Sequence, residues 1–402
     1  MSIPSDSSTA AVPPRPPSVA LLVAMVATVS FSMNAFVPSI PGLVRHFDTT
    51  AAMAQLALTL FLLGVGIGQP VIGPLSDKFG RRPVLLIGLS VATAGSVLCL
   101  LAPSIEVLVL GRLVQAVGAC TGMVVGRAMV GDVFGREKAA SVLGYLTAGL
   151  AVVTTIGPAI GGVLDVHFGW RAVFVLMLVF FVGLLGWTAA AAPETNFRRI
   201  ASISPRAILG NYHELLGNRR FIAYTLVVTF TSGAFFAFVG GVPHLMVDVM
   251  GRSADEYGFW FILISITFMS GNVLTGRLTQ RLGLDRMLRI GVAVNFPAGL
   301  VMLAFALFGV LHPLALFLPM ALIALGNGLC QPNATAGAVA TNPRLAGSAA
   351  GLLGMVQMLS AAVTTFLIGT LEANTSLPLA ILMAATLALG FLAAWLGAAP
   401  RR

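Results

Sequence analysis

A chain of 402 residues with 57% hydrophobic and only 9% charged residues is not a water-soluble globule, because ordinary soluble domains carry about 25% charged residues. Its mean hydropathy of +0.96 makes the lipid bilayer its solvent. The formal net charge of +9 does not point to nucleic acid, because the basic residues fall between long apolar runs, where they set membrane orientation.

Residues 1–18, rich in Pro and Ser, read as a flexible cytoplasmic tail. They lack the charged start and small-residue cleavage site of a secretory signal, so the first apolar run is read as a retained membrane helix. A bilayer-crossing helix needs about 20 apolar residues. Such runs occupy 19–40, 52–75, 83–102, 107–130, 139–164 and 172–192. A polar cytoplasmic linker, 193–219, separates them from runs at 220–243, 257–279, 287–309, 313–336, 347–370 and 377–396, and a short cytoplasmic tail, 397–402, closes the chain. The expected fold is an all-α membrane protein of twelve spans in two six-helix bundles, 19–192 and 220–396.

Charge sorting supports an even count. Of the 23 basic residues, Arg45, Arg171 and Arg252 fall in outer segments, Arg112 and Arg127 lie within the fourth span, and the rest fall on the inner side. That bias puts both termini in the cytoplasm. Cys99, Cys120 and Cys330 sit in apolar runs without metal-ligand spacing and read as small buried hydrophobes. The five histidines are scattered, with no Ser-His-Asp arrangement and no metal cluster, so the rival reading of a membrane enzyme lacks its residues. No Gly-x-x-x-x-Gly-Lys-[Ser/Thr] loop is present, which leaves an ion gradient, or that of the substrate, as the energy source; no cofactor is expected.

The chain repeats itself. Gly73-Pro-Leu75-Ser-Asp77-Lys78-Phe-Gly80 returns as Gly276-Arg-Leu278-Thr-Gln280-Arg281-Leu-Gly283, about half a chain later and again after the second span of a six-span half. Two such halves joined by a polar linker suggest a transporter with its site between them.

The first copy, continued by Arg81 and Arg82, resembles the loop signature of the major facilitator superfamily, Gly-x-Leu-x-Asp-x-x-Gly-Arg-Arg. Arg112-Leu-Val-Gln115-Ala-Val-Gly118 resembles that family's fourth-helix motif, and Gly157-Pro158-Ala-Ile-Gly161-Gly162 resembles its fifth-helix antiporter motif. More narrowly, Asn34-Ala-Phe-Val-Pro38-Ser-Ile-Pro41, Arg127-Ala-Met-Val-Gly-Asp132, Pro332-Asn333-Ala-Thr335 and Ala346-Gly347-Ser348-Ala349 resemble the Bcr/CflA drug-resistance group. The resemblance implies a twelve-span carrier that exchanges drugs for protons.

Physics gives each motif a role. Gly73 and Gly80 allow close packing and a sharp turn, while Asp77, Arg81 and Arg82 can bridge helix ends with Asp132 as partner. The family implies that this network latches the outward-open state; the bland alternative is that the charges only fix orientation. Arg112 is the costliest residue, a charge inside a span and one turn from Gln115. The family implies a buried coupling role, the alternative being an arginine that snorkels to the outer headgroups near Glu106. Gly118, Gly122 and Gly126 read as a packing stripe. Gly157, Pro158, Gly161 and Gly162 permit a bend and tight contact, which the family links to sealing against proton leak.

Candidate substrate contacts are polar residues sharing helix faces: Ser30 with Asn34, Thr225 with Thr229 and Ser232, Asn327 with Gln331, and Gln357 with Ser360 and Thr364. Half of them can serve only neighbouring helices. Phe235, Phe236, Phe238 and Trp260 could line an apolar cavity, or simply pack. The Bcr/CflA pattern has Asp where this chain has Asn34, and an amide can neither take up a proton nor attract a cation. All 14 acidic residues map to loops or helix ends. Either the helix ends are off by a turn and Asp132 or Asp165 reaches the cavity, or Asn34 is an introduced change, or the carrier disfavours permanent cations and takes neutral or anionic compounds.

The expected function is proton-linked export of drugs or other small amphiphiles by a monomer in a bacterial inner membrane. The alternative is a dedicated carrier for one metabolite such as a nucleoside or siderophore.

Overall fold

The structure, a computed structural model, describes residues 16–133, 136–196, 205–342, 345–371 and 374–396. The N-terminal tail up to residue 15, linker residues 197–204 and the tail 397–402 lie outside the described residues.

Helix α1, Val19–Asn34, is capped by the Ser18 hydroxyl, which accepts from the Leu21 amide at 3.2 Å. A 3-10 turn, Val37–Ser39, carries the chain into α2, Ile40–Phe47. Span one therefore extends past its expected end at residue 40. Pro38 and Pro41 each sit in the first turn of the element they open, where a missing N–H leaves no bond unmade. Then come α3, Ala51–Phe79, α4, Arg81–Leu100, α5, Ile105–Val133, α6, Arg136–Phe168, and α7, Trp170–Ala191. Inside the expected linker lies a short helix, α8, Pro205–Leu216. The second half comprises α9, Arg219–His244, prolonged by a π-helical turn, Leu245–Val249; α10, Ala254–Leu282; α11, Leu284–Leu307; α12, Pro313–Ala340; α13, Ala346–Thr370; and α14, Leu377–Leu396.

Eleven helical stretches among the described residues are long and apolar enough to cross a membrane, and α6 contributes a further apolar stretch, Val152–Phe168. The result is a fold of twelve spans. An even number brings both ends of the chain to one face, here the termini face; the opposite one is the far face. The two copies of the repeat form equivalent turns: Gly80 between α3 and α4 and Gly283 between α10 and α11 have φ of 102° and 82°, a region that side chains other than glycine seldom enter.

One span in three is the most buried: α1, α5, α9 and α12 reach 67%, 61%, 72% and 78% of their apolar windows, whereas the other measured spans lie between 33% and 56%, with α4, α7 and α11 at 39%, 33% and 39%. The first group is interior and the second shows lipid residues such as Ile87 and Val179. Glycines set the interior distances. A Cβ on Gly118 would clash with the α4 backbone at Ala92, and one on Gly122 would lie 2.7 Å from the Met25 carbonyl oxygen of α1, so this stripe is packing, as expected.

The two halves meet along α3 with α13 and along α6 with α10. In the first seam the antiparallel partners are Gln55 with Gly369, Thr59 with Thr365, Gly66 with Met358 and Gln69 with Gly354. In the second, a Cβ on Gly162 would meet the Ala254 carbonyl oxygen at 2.5 Å, and one on Gly258 the Pro158 oxygen at 2.7 Å. Both tight zones reach the far face. Toward the termini face, Gly73, Gly131, Gly276 and Gly347 meet nothing within 4 Å, and α5 and α12 make no extended contact. The protein is thus closed at the far face and open toward the termini face. Close packing at Gly73, expected from its motif, is absent in this state because the halves diverge there.

Candidate functional site

Arg112 lies seven residues inside the start of α5, about 10 Å along its axis, and is fully buried. It does not snorkel. Its guanidinium lies between two rings, 4.4 Å from the Phe36 centroid and 4.1 Å from that of Phe61, a cation–π sandwich that offsets part of the cost of burying the charge. Nη1 donates to Gln115 Oε1. Gln115 Nε2 donates in turn to Ser96 Oγ at 2.8 Å and approaches Met177 Sδ at 3.5 Å. Four helices, α3, α4, α5 and α7, and the turn after α1 thus enclose one polar cluster. No carboxylate of the described residues pairs with Arg112, and its Nε and Nη2 have no acceptor. That edge of the guanidinium is the fork which takes a carboxylate or another planar acceptor side-on.

Asn34 is 1% exposed and donates from Nδ2 to the Ser30 backbone oxygen at 2.8 Å. It packs beneath the glycine motif of α6: a Cβ on Gly157 would lie 3.0 Å from its own Cβ, and one on Gly161 would clash with the Ala35 carbonyl. Gly162 and Pro158 face α10. This motif seats spans one, five and eight together, within a helix that is continuous through Pro158.

The second half gathers neutral groups around Ser232. Its hydroxyl accepts from Gln357 Nε2 at 2.7 Å and from Gln331 Nε2 at 3.2 Å. Thr231 lies alongside, 3.4 Å from Gln331 Nε2, and Asn295 donates to Asn327 at 2.8 Å, leaving Asn295 Oδ1 without a partner. Thr229 spends its hydroxyl on the Thr225 carbonyl of its own helix, and its backbone oxygen accepts from Ser360. Phe236 is buried, packed edge-on against Phe235 at 5.4 Å.

At the termini face, Arg81 joins α3 and α5. It pairs with Asp77 at 2.6 Å and with Asp132 at 2.8 Å, and donates to Ser76 Oγ at 2.6 Å. Arg82 turns away, to the Ala189 carbonyl at 2.8 Å, so it is not a partner of Asp132. One group that sequence reasoning missed completes the turn. The carboxylate of Glu194, just past α7, accepts from the backbone N–H of Arg81, Arg82, Thr195 and Asn196 at 2.9, 3.2, 3.0 and 2.9 Å. It caps the start of α4 from outside that helix.

The Major Facilitator Superfamily family model matches residues 21–365. The chain belongs to the major facilitator superfamily. Within it, the chain is 33% identical over 371 residues to the chloramphenicol resistance protein of Pseudomonas aeruginosa, covering 90% of this chain and 86% of that one. It is 30% identical over 363 residues to multidrug resistance protein D of Escherichia coli strain K12, covering 90% and 91%. Its fold matches the crystal structure of a D-xylose-proton symporter with a TM-score of 0.71 at 14% identity, covering 94% of this chain and 97% of that one.

As a facilitator-superfamily chain it carries the loop network of Asp77, Arg81 and Asp132 within its first half, and among the described residues no ion pair or hydrogen bond ties that network to the second half in this state. The two acids that a shifted helix end was to bring into the cavity stay at the ends: Asp132 is next to last in α5, and Asp165 lies in the last turn of α6, against Gly42. Arg127 lies within α5, exposed and without an ion pair among the described residues. Ser96, Phe36, Phe61 and Met177 were missed around Arg112, as were Thr231 and Asn295 in the second half. The spacing of Ser96 from any charged residue gave no signal, but two phenylalanines flanking a buried cation are a pairing to look for.

Proposed function

We propose that this facilitator-superfamily chain exports small amphiphilic compounds from the bacterial cytoplasm by alternating access, driven by protons, as a monomer of the inner membrane with both termini cytoplasmic. The observation that carries the reading is the fully buried Arg112, whose Nε–Nη2 edge has no acceptor. A charge held out of water without a partner is costly, so its open edge is reserved for cargo. The neutral cluster of Ser232, Gln331 and Gln357 offers the amide and hydroxyl groups that orient varied ligands without demanding one charge. The names of the relatives, a chloramphenicol and a multidrug resistance protein, support drugs as that cargo. With Asn34 where a carboxylate is usual, neutral or anionic compounds are favoured over permanent cations. The closed far face and open termini face correspond to the inward-facing stage of the cycle.

Expression in a drug-sensitive host, with a panel of neutral, anionic and cationic inhibitors, tests this. Resistance to the first two groups that an uncoupler abolishes is expected. Growth on a scarce nutrient, with no resistance to any inhibitor, would instead establish uptake of one metabolite.

A further inference from the structure

Among the described residues only one ion pair joins the two halves. Arg45 of α2 meets Asp248 of the π-helical turn after α9, Nη1 to Oδ1 at 2.9 Å, while the Asp77–Arg81, Arg81–Asp132 and Arg252–Glu256 pairs each stay within one half. The second oxygen of Asp248 is held by His244 Nδ1 at 3.0 Å, one turn back on the same segment. The carboxylate is therefore oriented from its own half and satisfied from the other.

The partners are 203 residues apart. The same interval separates Gly73 from Gly276 and Gly80 from Gly283, the two copies of the internal repeat. Residues related by a pseudo-two-fold axis touch one another only where they lie close to that axis. Arg45 and Asp248 are such a pair, and the axis runs through their contact at the closed far face. Opposite charges stand at a place where the two halves meet their own counterparts.

We propose that Arg45 and Asp248 form a gate pair on the pseudo-two-fold axis, which favours closure of the far face, with His244 positioning the carboxylate. The proposal rests on the alternating-access reading above. The seams beside the pair are neutral: glycine against backbone, Thr59 against Thr365 at 3.3 Å, and Gln55 against Gly369. They close the far face whatever the charge. The side chains of Arg45 and Asp248 are 60% and 30% exposed, and an exposed pair shifts an equilibrium by no more than roughly fivefold. That is a bias, not a lock, which suits a carrier that must reopen in every cycle. Asp165, in the first half, also lies in the field of Arg45.

The test is the labelling rate of a cysteine reporter, Thr59→Cys, in the α3–α13 seam. A membrane-impermeant maleimide is added at the far face of sealed vesicles. Cys99, Cys120 and Cys330 are buried, and the chain without the reporter gives the background. Asp248→Asn and Arg45→Gln should each raise labelling, by up to about fivefold, and together no further than either alone. The reversed pair, Arg45→Asp with Asp248→Arg, should bring the rate back toward the original, short of full recovery because Asp165 then faces a like charge, a rescue that a packing role does not give. Added salt should speed labelling of the unmodified pair and leave Asp248→Asn unchanged, a result that needs no variant with altered folding. Labelling that ignores salt, and a reversed pair no closer to the original than the single variants, overturn the gate and leave alternating access standing. A reporter that never labels, even with transported cargo present, overturns both.

Discussion

Replacing Arg112 by methionine separates a structural arginine from one held for its cargo. In favour of the arginine stand two ring contacts, about 2 kcal/mol each when desolvated. The charged hydrogen bond to Gln115 adds about 1.5–3 kcal/mol. Against it stand two buried donors without acceptors, about 1–3 kcal/mol each, and the removal of the charge from water, still several kcal/mol per ion. The two sides come within a few kcal/mol of cancelling. Methionine keeps most of the volume and offers its sulfur to the same rings, about 0.3–1.5 kcal/mol per contact. Arg112→Met should therefore melt in detergent within about 2 °C of the parent, or above it, since a kcal/mol moves Tm by only a few degrees in chains of this size or smaller. Flux into proteoliposomes should fall at least about tenfold, because one charged hydrogen bond to cargo is worth about 1.5–3 kcal/mol. Arg112→Lys keeps the charge without the planar fork and should retain part of the flux. A drop in Tm of about 6 °C or more, with flux lost only in proportion to folded protein, would show that the residue is structural and refute the reasoning.

Three other substitutions probe separate parts of the molecule. Glu194→Gln removes the charge that four backbone N–H groups share, and it should lower stability by about 1–2 kcal/mol, the range of a helix cap; an unchanged melting curve would show that solvent satisfies that turn equally well. Asn34→Asp places a carboxyl, a group that can bind a proton and meet a cation, at a position 1% exposed. Export of a quaternary ammonium should then appear, increase with pH and fade on acidification, and equal cation flux in the two chains across the pH range would place the coupling group elsewhere. Gly161→Ala drives a methyl into the Ala35 carbonyl and should lose about 1–3 kcal/mol or more by overpacking. Gly73→Ala, with nothing within 4 Å, should keep the parent's melting temperature, so that any loss of flux reports close packing at Gly73 in the other state.

The spans were legible because lipid imposes a length and an apolarity that few other environments require; most predicted ends lie within a few residues of the helices. Span one was cut short because prolines usually break helices, yet Pro38 and Pro41 open helical turns. Helix α8 was hidden in a polar stretch with no long apolar run. Arg112 and Gln115 stood out because a charge inside a span is rare and helical spacing puts them one turn apart. Ser96 and Met177 did not, since they reach Gln115 from other helices, and contacts across spans leave no periodicity. The Asp77, Arg81 and Asp132 association was readable from charge and position. Arg82 was assigned to the same network because adjacency in sequence says nothing about which way two side chains turn from a glycine at positive φ. Glu194 looked like one more linker acid, because capping at a distance depends on where α7 happens to end.

The side-chain contacts described within the seams are neutral, glycine on backbone, threonine on threonine, glutamine on glycine and methionine on glycine. When those surfaces slide or part, no fixed charge on them travels through the membrane field. Moving one elementary charge through 100 mV is worth about 2.3 kcal/mol, so a rearrangement with charged seams would speed or stall as the cell's voltage changed. Here the motion itself is nearly electrically silent. Apart from any displacement of Arg112 and Arg127, and of the Arg45–Asp248 pair at the far face, a current recorded during turnover would count the charges on the passengers.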